Sequence, residues 1–137
     1  MKHTVNTLWQ GDMKFDAVVS GHHVVMDALP AVGGKDEGAC PKELMLASLA
    51  GCTGMDVVSI LGKMRVDLQY FNIRVEAEMT GEHPKHYTSM HIIYEFKGEN
   101  LDPEKLRKAV TLSQDQYCGV SAAYRKAMGI TYEIVIL

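Results

Sequence analysis

The chemistry available to this chain of 137 residues lies mainly in its three cysteines, Cys40, Cys52 and Cys118. Cys52 sits inside Leu49-Ala50-Gly51-Cys52-Thr53-Gly54-Met55, an apolar stretch with a glycine close on either side. A free cysteine in such surroundings packs like a small hydrophobe. The glycines add a second reading, because they would let a substrate or a neighbouring segment approach the sulfur. Cys118 stands just before Gly119-Val120-Ser121-Ala122, where unpaired backbone N–H groups and the positive end of a helix favour a thiolate. As a purely structural residue it would be a buried cap. Cys40 falls at a loop-to-helix junction with no partner in sight and reads as structural. Cys52 and Cys118 can act as a pair only if the fold brings their helices together, which spacing along the chain leaves open.

Other chemistries find little support. The six histidines form neither H-x-x-x-H nor H-E-x-x-H on a helix, so solvated or capping roles are expected and no metal site. No G-x-G-x-x-G, phosphate-binding loop or G-x-S-x-G is present, and no nucleotide cofactor is expected. The nine methionines read as core filling. A net charge of −3 lacks the basic excess of a nucleic-acid binder. No run approaches roughly 18 uninterrupted apolar residues, and the start lacks the apolar segment of a signal peptide, so no membrane association is expected. The absence of a C-x-x-C pair does not fit a secreted disulfide framework, and a reducing cytoplasm is the expected compartment.

The elements that must position the cysteines follow from pattern. With 47% hydrophobic and 23% charged residues, the chain is expected to fold as a single domain over 1–137. Residues 3–27 read as a three-stranded meander, with Gly11-Asp12 and Gly21 in its turns. Residues 28–39 form a polar loop carrying Pro30, Gly33-Gly34, Lys35 and Gly38, long enough to be functional. Pro41 then suits the first turn of a long helix reaching Met64. Its middle is apolar or small on nearly every side, which predicts a helix buried all round. Gly51 and Gly54 should then be compensated by a close approach or a bend. Alternation over Phe71–Met79 and Met90–Phe96 predicts an antiparallel strand pair. Asp102-Pro103 opens a helix to about Gln116, a second helix follows Cys118, and Ile130–Ile136 is a final strand. The class is α+β with a largely antiparallel sheet. A helix apolar all round needs more cover than one small sheet gives, so a homodimer is expected.

The segment Pro41-Lys42-Glu43-Leu44-Met45-Leu46-Ala47-Ser48-Leu49-Ala50-Gly51-Cys52, followed by Cys118-Gly119-Val120-Ser121, resembles the paired signature of the OsmC/Ohr family. The order of elements agrees over essentially the whole chain. Gly51-Cys52-Thr53-Gly54-Met55-Asp56-Val57-Val58 resembles the small OsmC-like branch in particular. The resemblance implies an intertwined homodimer with two long central helices packed between sheets and active sites at the subunit interface. It also implies that Cys52 is the peroxidatic and Cys118 the resolving cysteine of a thiol-dependent organic hydroperoxide reductase, with no cofactor beyond an external thiol reductant.

The chain departs from the family pattern at two supporting positions. Members use an arginine from the N-terminal region and a glutamate ten residues before the first cysteine. Here no arginine precedes Arg65, and Lys42 stands at the glutamate position. Glu43 is adjacent but about 100 degrees further round a helix. Lys14, Lys35 and Lys42 are the candidate replacements for the missing cation, with Lys35 in the glycine-bounded loop best able to reach a site, although a lysine gives a point charge and not the planar fork of arginine. Three functions are therefore carried forward: an organic hydroperoxide reductase, a small-molecule binding module of the same fold, and a redox sensor.

Overall fold

The computed structural model describes residues 1–137, which divide between Met45 and Leu46 into two compact units. The first unit is the expected meander. Strands β1 (Asn6–Trp9), β2 (Phe15–Val19) and β3 (His22–Met26) pair antiparallel in chain order. Gly21 joins β2 to β3 with a φ of +80°, a conformation that costs glycine little and other residues more.

The loop after β3 is organised by one carboxylate. Asp27 is nearly inaccessible, and its oxygens accept the backbone N–H groups of Ala28 at 2.7 Å, Glu37 at 3.1 Å and Lys35 at 3.3 Å. Three donors from one loop satisfy the buried carboxylate and draw residues 28–37 around it. A Cβ at Gly34 would collide with the Ala28 carbonyl, so close backbone approach restricts that position to glycine.

The second unit holds the helix α1 (Leu44–Lys63) from Leu46 onward, the strands β4 (Tyr70–Met79) and β5 (Tyr87–Lys97), the helices α2 (Pro103–Leu112) and α3 (Gly119–Arg125), and β6 (Gly129–Ile136). The sheet order is β4-β5-β6. β4 runs antiparallel to β5, and β6 lies parallel to it, reached through α2 and α3. Being central, β5 is the most buried strand and places Met90, Ile92, Tyr94 and Phe96 out of water. Phe71 stacks on Phe96 with ring centroids 4.6 Å apart. Leu106, Ala109 and Val110 of α2 are fully buried, and Asp102 caps that helix by accepting the Glu104 N–H at 3.0 Å.

The α+β expectation holds, and three local expectations change. Pro41–Glu43 forms a 3₁₀ turn, with the α-helix starting at Leu44. The helix after Asp102 stops at Leu112, where Ser113–Tyr117 widens into a π-turn. Helix α1 is not buried all round in one chain. Only the stripe Leu49, Thr53, Val57 and Leu61 is buried, while Met55 and Val58 are 77% and 53% exposed. The glycines also differ from each other. A Cβ at Gly54 would come 2.9 Å from Ile73 Cδ1 of β4, whereas Gly51 faces open space. By length and composition alone the helical stretch Pro41–Lys63 is long and apolar enough to cross a membrane, which counting uninterrupted apolar runs overlooked.

Candidate functional site

Cys52 and Cys118 meet in the second unit. Cys52 lies on α1 beside the buried stripe and is itself half-buried, next to Thr53. Cys118 is 3% exposed and sits between the π-turn and α3, close enough to Cys52 for that residue to act on its titration. The pairing that chain spacing left open is therefore made by the fold. The π-turn sets up Cys118 locally. The Cys118 N–H donates to the Ser113 carbonyl at 2.7 Å, and the residue turns to an extended conformation that makes it the N-cap of α3. There its sulfur accepts the Ser121 N–H at 3.3 Å.

The cap does not make Cys118 a thiolate, contrary to the sequence expectation. Burial dominates and pushes its pKa from 9.0 up to about 11, while the Ser121 N–H pulls the other way too weakly to offset it. Cys52 and the Asp56 carboxylate add to the rise, because each disfavours a second negative charge nearby. At neutral pH Cys118 is thus a protonated thiol near the less buried Cys52.

Around the pair runs a buried polar network that sequence reading did not find. Thr53 Oγ1 lies 2.6 Å from the Tyr94 hydroxyl and 2.7 Å from Ser113 Oγ. Ser113 Oγ donates to Asp56 at 2.8 Å. Gln114 Nε2 donates to Tyr94 at 2.8 Å, and Ser121 Oγ donates to Gln114 Oε1 at 2.6 Å. Burial pushes the Tyr94 phenol up, so it remains protonated as a donor. Every fully buried side-chain polar atom has a partner. The residues come from α1, β5, the π-turn and α3, so only their assembly shows the network. The one available signal was a run of polar residues on helices otherwise needed for a core.

Two openings flank α1 in this unit. Asp56, Lys63, Lys108 and Tyr117 line a cavity of about 450 Å³ together with Ile60 and Leu112. Gly51, Gly54, Met55, Val58, Phe71 and Ile73 line an apolar groove of about 590 Å³. No group of three or more His, Cys, Asp or Glu side chains comes together to hold a metal ion.

The supporting candidates lie in the first unit. Lys35 is exposed, with its ammonium 3.0 Å from Asp12, and this ion pair raises its pKa. Glu43 ends the 3₁₀ turn and is exposed. Cys40 is half-buried as the N-cap of the same turn, without a side-chain capping bond.

The family model of the OsmC-like proteins matches residues 34–133, and the chain, with its two small sheets and long helix, belongs to that family. Protein YhfA of Escherichia coli strain K12 is 34% identical over 118 residues, covering 85% of each chain. Among solved structures, a hypothetical protein from Aquifex aeolicus VF5 matches with a TM-score of 0.83 at 27% identity, over 100% of this chain and 99% of its own. The organic hydroperoxide resistance protein OhrB of Bacillus subtilis shares the fold with a TM-score of 0.66 at 16% identity, over 96% of this chain and 98% of its own. The resemblance read from Pro41–Cys52 and Cys118–Ser121 is thereby confirmed at the level of family and fold.

Proposed function

We propose that the protein is a thiol-dependent peroxidase that reduces organic hydroperoxides to alcohols in oxidative-stress defence. The observation that carries this reading is the proximity of a half-buried Cys52 to a buried Cys118 thiol. Family membership and a fold shared with an organic hydroperoxide resistance protein support it. The Cys52 thiolate attacks the distal oxygen of the hydroperoxide. The O–O bond breaks, the alkoxide leaves and takes up a proton as alcohol, and Cys52 becomes a sulfenic acid. Cys118 then attacks the Cys52 sulfur, the S–O bond breaks, and hydroxide departs with the Cys118 proton as water, leaving a disulfide. An external dithiol reduces that disulfide by exchange and is itself oxidised.

The division of labour follows from burial. Only one sulfur of the pair should be charged before the peroxide arrives, and a thiol held at a pKa of about 11 cannot compete for that role at pH 7. A homodimer covers the exposed Met55 and Val58 on α1, since apolar surface of that kind is costly in water. Sedimentation of the reduced protein should give twice the chain mass. Lys35 and Glu43 are the supporting groups in this reading, and the working compartment is the cytoplasm, where the pair is kept reducible.

The deciding experiment is intact-mass spectrometry of reduced protein after one equivalent of an organic hydroperoxide, with peptide mapping. The expected product is a Cys52–Cys118 disulfide formed within seconds. Absence of oxidation at millimolar hydroperoxide would overturn the reading. One observation favours a second function, that of a small-molecule binding module: the candidate cation Lys35 is already neutralised by Asp12. Native mass spectrometry of the purified protein would then show a retained ligand, with only slow thiol oxidation.

A further inference from the structure

Gln114 is 2% exposed, and its side chain uses every hydrogen-bonding position it has. Its Nε2 donates to Tyr94 Oη at 2.8 Å and to Thr53 Oγ1 at 3.3 Å. Its Oε1 accepts from Ser121 Oγ at 2.6 Å and from Arg125 at 2.9 Å. The other arm of the Arg125 guanidinium donates to the Gln114 backbone carbonyl at 2.6 Å, so one arginine holds both the side chain and the main chain of this residue. Gln114 precedes Cys118 in the π-turn, whereas Ser121 and Arg125 follow it in α3. The amide therefore ties together the two segments that enter and leave the buried cysteine. Through Thr53 it also ties them to α1 next to Cys52.

A buried amide satisfied in this way costs its desolvation and returns little net stability, and an apolar side chain of similar size could fill the space. What the network supplies that an apolar contact would not is direction. A widened π-turn inside a helical segment has several ways to close, and such turns often occur at functional sites. Five charge-assisted or neutral hydrogen bonds select one of them, the one that sets Cys118 Sγ against the Ser121 N–H and within reach of Cys52's influence.

We propose that Gln114, clamped by Arg125, is a positioning residue that holds the π-turn so that Cys118 faces Cys52, and that it thereby sets how oxidised Cys52 divides between disulfide closure and further oxidation. The inference rests on the peroxidase reading for its consequence, but not for its geometry. Once Cys52 is a sulfenic acid, two reactions compete. Attack by Cys118 forms the S–S bond and releases water. Attack by the sulfenate on a second hydroperoxide transfers one more oxygen to sulfur, giving sulfinic acid and a second alcohol. The first is intramolecular, so its rate depends on how well the thiol is held, and a misplacement of about 1 Å can cost about a hundredfold.

The test uses the full chain in a Cys40→Ser background, comparing it with Gln114→Ala, Gln114→Glu and Arg125→Lys. Reduced protein is titrated with cumene hydroperoxide, and disulfide and sulfinic acid are counted by intact mass. The hydroperoxide concentration that drives half of Cys52 to sulfinic acid should fall about tenfold or more in Gln114→Ala, with a smaller fall in Arg125→Lys, which keeps the charge and loses the second arm. A lower melting temperature with an unchanged partition in the folded variants would mark a merely structural role and overturn the proposal. Equilibration with reduced and oxidised glutathione separates this from failure of the peroxidase reading, because it forms the same disulfide without peroxide. The effective concentration of the pair should fall about tenfold in Gln114→Ala. If the parent protein ignores hydroperoxide, the peroxidase reading fails while the glutathione equilibrium still decides the positioning role, and equal equilibria in parent and variants refute it. Should Gln114→Ala not fold, Arg125→Lys carries both measurements.

Discussion

Replacing Thr53 by valine tests whether the buried network is a cooperative unit or a set of independent contacts. Valine keeps the β-branched shape and replaces the hydroxyl by a methyl group. The hydroxyl has neighbours at 2.6 Å in Tyr94, 2.7 Å in Ser113 and 3.3 Å in Gln114. Two short bonds are lost, at about 1 kcal/mol each net. The methyl is also forced within 2.7 Å of oxygens where a carbon prefers about 3.5 Å, so the neighbours must shift at a cost of about 1 kcal/mol more. Ser113 keeps Asp56 as its acceptor, but Tyr94 keeps Gln114 only as an incoming donor and loses the acceptor for its own buried O–H, which adds about 1 kcal/mol and brings the total near 4 kcal/mol. Tyr94→Phe removes the hydroxyl bonded to Thr53 and Gln114 and should cost about 2 kcal/mol. The double variant takes away both ends of the Thr53–Tyr94 bond, and with them the stranded Tyr94 O–H and the methyl's crowding against it. It should be less destabilised than the sum of the two single variants by about 1 to 2 kcal/mol. Urea unfolding of reduced protein at one fixed concentration measures all four species. Additivity within about 0.5 kcal/mol would refute the view that these hydroxyls act together.

Two further predictions concern protons. The Cys118 thiol keeps its proton in the folded state up to about pH 11, while in the unfolded chain it ionises around its ordinary value of 9.0. Between those values the unfolded state binds fewer protons, so this group's contribution to stability is full below about pH 9 and is lost as pH rises towards 11. Urea midpoints from pH 8 to 11 should fall more steeply in the parent than in Cys118→Ala, and parallel curves would contradict the burial argument. Asp27 behaves oppositely. The N–H of Ala28, with those of Glu37 and Lys35, holds its carboxyl below 3.8 against the upward pull of burial. Its contribution is present above that value and lost as pH falls through the depressed one. Asp27→Asn at pH 7 loses the charge that gathers those donors, and residues 28–37 should be cut faster in limited proteolysis. An unchanged cleavage rate would show that the loop does not depend on the carboxylate.

The sequence by itself determined most of the elements and singled out two cysteines. Alternation over Phe71–Met79 and Met90–Phe96 fixed a strand pair, because a sheet with one buried face must alternate. Asp102-Pro103 marked a helix start, because a cap and a missing N–H have local consequences. The two cysteines and their neighbours marked the family for the same reason, as contiguous patterns. What lay beyond local reading were relations between segments. The sequence showed an all-round apolar α1, but only the structure showed that a single stripe of it is covered within the chain. It placed Cys118 at a helix start and drew a thiolate from that, whereas tertiary burial of the sulfur outweighed the cap and kept it a thiol. The Thr53–Tyr94–Ser113–Gln114–Ser121 network was invisible, since its members are scattered from α1 to α3 and each alone is an unremarkable polar residue. Periodicity and capping act over a few residues and can be read along the chain. Desolvation and hydrogen-bond networks depend on which atoms exclude water from which others, and that is decided only when the segments pack.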